Sequence, residues 1–220
     1  MNRELTPTEC QHLHFKHPFS ALVAGPSGSG KTEFVKTLVQ KYIIDPPPER
    51  IVWVYREWQP AYASLQPKVK FVYDYPDDDE VLVSNPHKRH VLVFDDLMGS
   101  KKASDHIVEW FTRKGHHRNT SVIYITQNLF DKNNKNQRTI SLNAHYMVLF
   151  KNPRDKSQIE VLARQLKLPS LPFAYTDATK RPHGYLVLDM TPTTPDEFRC
   201  RTDVMEGTPT LYAPLDYKIV

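Results

Sequence analysis

Three groups of residues have the types and spacing to do chemistry. The first, "GPSGSGKT" at residues 25–32, satisfies the pattern G-x-x-x-x-G-K-[ST] of a phosphate-binding loop. Gly25, Pro26, Ser27, Gly28, Ser29 and Gly30 would form a turn whose backbone amides close around phosphate oxygens. Lys31 would reach the β and γ phosphates, and Thr32 would ligate Mg²⁺. The second group, Asp95 and Asp96, stands in "HVLVFDDLM" (90–98). Asp95 suits a carboxylate that holds Mg²⁺ through its water shell, and Asp96, one position on, could orient the attacking water or take its proton. The third is Thr126-Gln127-Asn128 in "VIYITQNLF" (122–130), three uncharged polar residues at the tip of an apolar run. A Gln127 amide there can donate to a γ phosphate or to water without adding a charge that repels phosphate. The plainer alternative is an amide that bonds its own turn. ATP and Mg²⁺ are the cofactors this set asks for.

The flanking segments are the elements that must position these groups. "FSALVA" (19–24) is predicted as a strand, and "KTEFVKTLVQKY" (31–42) places Val35, Leu38, Val39 and Tyr42 at helical spacing, so the loop lies between strand and helix as phosphate binding requires. Thr32 and Asp95 are 63 positions apart, and the interval holds the strand-like "RIVWVY" (50–55) and "KFVYDY" (70–75). That leaves room for an additional strand between the loop strand and the acidic strand. The arrangement expected is an α/β fold: a P-loop NTPase with a mainly parallel central sheet flanked by helices. In a parallel sheet all strand C-termini share one edge, so Gln127 should stand beside Lys31, Asp95 and Asp96.

Composition bounds the rest. The chain has 220 residues, 40% hydrophobic and 25% charged, which suits one domain over 1–220, with about 205–220 as a loosely ordered tail or an edge hairpin. No apolar run reaches the roughly 20 residues of a membrane span, and the N-terminus lacks a signal-peptide layout, so the expectation is a soluble intracellular protein with no membrane partner. Lys and Arg exceed Asp and Glu by 29 − 25 = 4. The surplus gathers in "HKRH" (87–90), "KK" (101–102), "RKGHHR" (113–118) and "KNNKNQR" (132–138), which suit backbone contacts to nucleic acid or simply solvated loops. Cys10, His12 and His14 alternate along "CQHLHFKH" (10–17) with His17 nearby; they are zinc-competent, yet the two-plus-two ligand spacing is absent, which favours a half-exposed strand. "KASDHIVEWFTRK" (102–114) is a helix with Ala103, Ile107, Trp110 and Phe111 facing the sheet and Glu109 placed to pair with Arg113. "KSQIEVLARQL" (156–166) repeats the pattern, and "AHYMVLF" (144–150) and "YLVLDM" (185–190) are further strands.

Taken together, "HPFSALVAGPSGSGKT", "HVLVFDDLM" and "GHHRNTSVIYITQNLF" resemble the genome-packaging ATPases of double-stranded DNA viruses and of Polinton (Maverick) transposons, which are similar to the FtsK/HerA class of DNA pumps. The resemblance continues through 138–166 and 183–203. It implies nucleotide binding by Gly25 to Thr32, an acidic pair at Asp95 and Asp96, a polar sensor at Gln127, and an arginine before the sensor strand, which is Arg118. Many ATPases of this kind have Asp-Glu where this chain has Asp-Asp. Because Arg118 precedes its strand, it would lie roughly 20 Å from its own phosphate site, so a catalytic role would be in trans, with Arg138 as the alternative. The resemblance implies an ATP-driven translocase that pumps double-stranded DNA into a capsid. Its partners would be double-stranded DNA, further copies in a pentameric or hexameric ring, and portal or vertex proteins, in the host nucleus, a cytoplasmic viral factory or the virion. DNA contacts would come from the loops carrying Lys101, Lys102, Lys132 and Lys135. The rival readings are a nucleotide kinase, for which no arginine-rich lid is evident, and a non-catalytic ATP-switched DNA-binding or assembly protein.

Overall fold

Strands form where apolar runs are long enough to be buried on both faces. In order these are β1 (Phe15–Lys16), β2 (Ser20–Ala24), β3 (Ile44–Asp45), β4 (Arg50–Tyr55), β5 (Val69–Tyr73), β6 (His90–Asp95), β7 (Thr120–Thr126), β8 (Tyr146–Phe150), β9 (Tyr185–Asp189), β10 (Cys200–Thr202) and β11 (Thr210–Leu211). The helices are α1 (Lys31–Gln40), α2 (Lys101–Glu109), α3 (Lys135–Leu142), α4 (Ser157–Leu166) and α5 (Leu171–Ala178). The computed structural model describes residues 13–41, 43–97, 101–130, 135–205 and 209–213. Cys10 and His12 of the possible zinc cluster, Tyr42, Gly99 and Lys132 lie outside the described residues.

β1 and β3 form a small parallel pair. The main sheet has the order β5-β4-β6-β7-β2-β8-β9-β10-β11. Its first six strands are mutually parallel, and β9, β10 and β11 continue antiparallel as an edge meander. A strand does separate β2, which leads into the phosphate loop, from the acidic strand β6, but it is β7. β4 and β5, which occupy that interval in sequence, lie on the far side of β6. Both neighbours of β7 are fixed in register: Ala24 pairs with Thr126 and Asp95 with Ile125.

Helices cover both faces. α1 packs Phe34, Val35, Leu38 and Val39 against one face of the sheet. Ile107 and Trp110 of α2, Ile140 of α3, Ile159 and Leu162 of α4 and Ala174 of α5 cover the other. The expected inner face of α2 is observed, with Ala103, Ile107, Trp110 and Phe111 all buried. The ion pair differs from the expectation, because the helix continues as a π-turn over Trp110–Lys114. Its wider turn brings the residue five positions on, rather than four, onto the same face, and Glu109 therefore pairs with Lys114 at 2.6 Å instead of with Arg113.

Candidate nucleotide site

The parallel order brings the C-terminal ends of β2, β6 and β7 side by side, and the three chemistry-bearing groups with them. Gly25 donates its N–H to the carbonyl of Thr126 at 3.2 Å, tying the start of the loop to β7. A methyl group on Gly25 would stand 2.6 Å from Phe150 Cβ, so only glycine lets the loop leave β2 against β8. Gly30 caps α1 with φ 108°, a conformation closed to other residues at little cost, and so turns the chain directly into the helix. The unpaired amides at the start of α1 and its dipole then face the loop.

Lys31 donates from Nζ to the Pro26 carbonyl at 2.8 Å. Burial lowers its pKa, against the pull of Asp95 and Asp96. An ammonium bonded to one neutral carbonyl, with two carboxylates in its neighbourhood, could exchange that carbonyl for phosphate oxygens.

Thr32 donates its hydroxyl hydrogen to Asp95 Oδ2 at 3.3 Å. That leaves the hydroxyl lone pairs of Thr32 unused by this bond, so the pair would fit a hard divalent ion such as Mg²⁺ held by oxygen ligands and water. Asp95 is buried, at 3% exposure. Burial raises its pKa, while the bonds from Tyr62 and Thr32 act in the opposite direction. Asp96 follows in the left-handed region, φ 56°, and is half-buried. The chain turns sharply there and presents two successive carboxylates in different directions.

The polar tip of β7 divides three ways. Thr126 is buried and its hydroxyl donates to the Asn128 carbonyl at 3.3 Å, which is the plainer turn-bonding role. The Asn128 carbonyl also accepts from Gln137 Nε2 of α3 at 2.8 Å, and the Leu129 N–H donates to Gln158 Oε1 of α4 at 3.0 Å. Gln127 alone is exposed, and it lines a small pocket with Ala24, Gly25, Asn152, Asp155 and Gln158. Its side chain is thus left available beside the phosphate loop.

Arg118 stands at the opposite end of β7, half-buried, with its guanidinium carbon 5.8 Å from the Trp110 ring centroid. Seven strand residues at about 3.3 Å each keep it over 20 Å from Thr126. Arg138 is exposed within α3 rather than at the edge in front of β8, because the segment before that strand forms a helix that buries Ile140. Lys101 and Lys102 open α2 and Lys135 opens α3. His17 of the histidine-rich segment bridges Ser121 at 2.6 Å and Asn119 at 3.0 Å, tying two loops together.

Two neighbours of the site were not expected from sequence. Tyr62, on a 3₁₀ turn over Pro60–Leu65, donates to Asp95 Oδ2 at 2.8 Å. His183 donates from Nδ1 to the Ser29 carbonyl at 3.2 Å and itself adopts φ 60°. The only sequence signal for either is position: each lies in a loop that opens onto the phosphate-loop edge.

The fold is shared with solved structures. The DNA-packaging ATPase B204 of Sulfolobus turreted icosahedral virus superposes with TM-score 0.53 at 15% identity, covering 90% of this chain and 99% of that one. The genome-packaging NTPase B204 of Sulfolobus turreted icosahedral virus 2, solved with ATP-γS, gives 0.52 at 13% identity over 90% and 97%. This chain has the fold of the viral packaging NTPases. The cytoplasmic domain of the type VII secretion ATPase EccC from Thermomonospora curvata superposes on this chain with TM-score 0.51 at 14% identity, over 80% of this chain and 24% of that one. In sequence, 37 residues are 46% identical to packaging protein 1 of snake adenovirus serotype 1, a stretch amounting to 17% of this chain and only 8% of that protein. No family model matches.

Proposed function

We propose that the chain is an ATP-hydrolysing motor of the genome-packaging kind, which binds Mg²⁺·ATP at residues 25–32 and couples its hydrolysis to movement of double-stranded DNA. The observation that carries this reading is the Thr32–Asp95 bond, with Asp96 next in sequence and Gln127 following the strand between them. One sheet edge then offers a phosphate cradle, a cation site, a carboxylate for the attacking water and a neutral amide. When bound, the cation would polarise the phosphate oxygens and offset their charge. The residues of this chain would do the rest. Lys31 binds the β and γ oxygens, Thr32 and Asp95 orient the cation, Asp96 holds and deprotonates water, and Gln127 reports on the γ phosphate.

A motor that grips DNA of any sequence needs salt-sensitive contacts to the backbone, which Lys101, Lys102, Lys132 and Lys135 would supply. The distance of Arg118 from its own phosphate loop requires a neighbouring copy if it is to act in catalysis. A ring of identical subunits, five or six in number, provides one, and capsid vertex proteins would be its docking partners.

The deciding experiment measures phosphate release with and without double-stranded DNA. Stimulation by DNA is expected, and Asp96→Asn should bind Mg²⁺·ATP while turning over about 10² to 10⁴-fold more slowly. Equal rates with and without DNA would overturn the motor reading. For the ring, Lys31→Ala and Arg118→Ala subunits, each inactive alone, should recover activity when mixed, because an intact site then meets an intact arginine. Co-assembly with no recovery would show that Arg118 is not supplied in trans.

A further inference from the structure

The Asp95 oxygen that accepts the hydrogen bond of Thr32 has a second partner that ordinary core packing does not require. Tyr62 is fully buried, at 0% exposure. Its ring stacks on Phe71 at 5.2 Å and 28°, and is flanked by Trp53 at 5.3 Å, Trp58 at 5.4 Å and Tyr55 at 5.8 Å. A phenylalanine would fill that aromatic nest equally well. The phenol adds one group, a hydroxyl that must find a partner when buried, and the partner is Asp95 Oδ2 at 2.8 Å, closer than Thr32 on the same oxygen at 3.3 Å. With the ring clamped by its neighbours, the hydroxyl cannot swing away, and the carboxylate it holds cannot rotate freely.

Building on the Mg²⁺·ATP reading above, we propose that Tyr62 is the positioning residue for Asp95 in metal binding. Its hydroxyl fixes Oδ2 so that the carboxylate presents one orientation to Thr32 and to the cation with its waters. Groups that orient a metal ligand from behind are commonly worth tenfold to a hundredfold in metal affinity. Because the Tyr62 hydroxyl bonds the carboxylate, its removal should weaken the cation and spare the nucleotide.

The test uses the full chain with Mn²⁺ as a paramagnetic stand-in for Mg²⁺ and a non-hydrolysable ATP analogue. Free Mn²⁺ is followed by electron paramagnetic resonance, and analogue binding is measured separately in chelator. Tyr62→Phe should weaken Mn²⁺ uptake by about 10 to 100-fold and leave the metal-free affinity for the analogue within about twofold of wild type. In an Asp95→Asn background the same substitution should change Mn²⁺ uptake no further, since the carboxylate it positions is gone. Should Tyr62→Phe fail to fold, fluorotyrosine placed at position 62 alone acidifies the hydroxyl without removing it, and should shift Mn²⁺ affinity. Wild-type Mn²⁺ affinity in Tyr62→Phe, an undiminished effect in the Asp95→Asn background, or an unmoved fluorotyrosine protein would each overturn the role of Tyr62. A wild-type chain that takes up no Mn²⁺ with the analogue would instead overturn the nucleotide-site reading on which it rests.

Discussion

The two edges of the parallel sheet draw on similar polar residues and commit them differently. At the N-terminal edge the polar side chains bond one another or the backbone, although His90 Nδ1 and two nitrogens of Arg201 are buried without a partner. His17 bridges Ser121 and Asn119, His145 Nδ1 accepts the Ser20 N–H at 3.0 Å, and His90 Nε2 donates to the Asn85 carbonyl at 2.8 Å. Asp189, where antiparallel β9 ends at this same edge, is bound by Thr191, Thr194 and the fully buried Arg201. At the C-terminal edge fewer bonds are closed: Lys31 rests on a single carbonyl, Gln127 is exposed, and the buried Asp95 accepts from Thr32 and Tyr62 on Oδ2. Backbone strain follows the same division. Asp74, Asp96, His183 and Asp203 adopt positive φ at the phosphate-loop edge, against Asn119 and Lys167 at the other. Each such residue costs of order 1 kcal/mol. One edge holds the fold together, and the other is kept taut and open for a ligand.

The sharpest way to break this comparison is Lys31→Ala, which should abolish Mg²⁺·ATP binding and turnover while shifting stability by no more than about 1 kcal/mol. Wild-type phosphate release from that variant would sink the assignment of the edge. Arg201→Met should do the reverse, leaving Asp189 buried without its cation at a cost of about 3–5 kcal/mol. Its urea midpoint should fall, and the folded fraction should bind nucleotide normally; an unshifted midpoint would mean the buried pair holds nothing. A smaller effect is expected at Asp95. Its raised pKa means the metal-free fold loses stability as pH rises through that carboxylate's range, because the folded state prefers the protonated form. Asp95→Asn should therefore gain about 1 kcal/mol without metal and remove that pH dependence, while binding the cation measurably but more weakly; a destabilised variant would contradict the burial argument. The smallest effect concerns the histidines. Burial lowers the pKa of His17, His90 and His145 below 6.5 in the fold. The unfolded chain takes those protons first, so their contribution is complete above about pH 6.5 and declines as pH falls through the folded values. Urea midpoints followed downward from neutral pH should show the decline, and His145→Gln should flatten part of it.

Much of the site was legible because its signals are local. The phosphate loop, the acidic pair and the tip of β7 each occupy a few consecutive residues, and the parallel-sheet rule then places them together without any knowledge of pairing. What stayed hidden depends on contacts across long separations or on departures from regular geometry. That β7 rather than β4 lies beside β2 is decided by sheet packing, which no single segment encodes. Tyr62 meets Asp95 from 33 positions away, out of a segment whose aromatic residues look like any other apolar patch. The π-turn moved the partner of Glu109 by one residue. α5 begins "LP", with Pro172 in the first turn, where proline is tolerated; its surroundings of proline and threonine masked a helix that buries Leu171, Ala174 and Tyr175.

Because β7 is hydrogen-bonded on both sides, it cannot serve as a piston. Sliding it by one residue would turn every inward side chain to the opposite face against β2 and β6 at once. If the chain works as proposed, a movement triggered by nucleotide would have to begin beyond the end of the strand, in the short segment from Gln127 to Phe130 that Gln137 and Gln158 hold from two separate helices. Those two amides bond the backbone just past Gln127, so a displacement there would reach α3 and α4 before it reached the sheet.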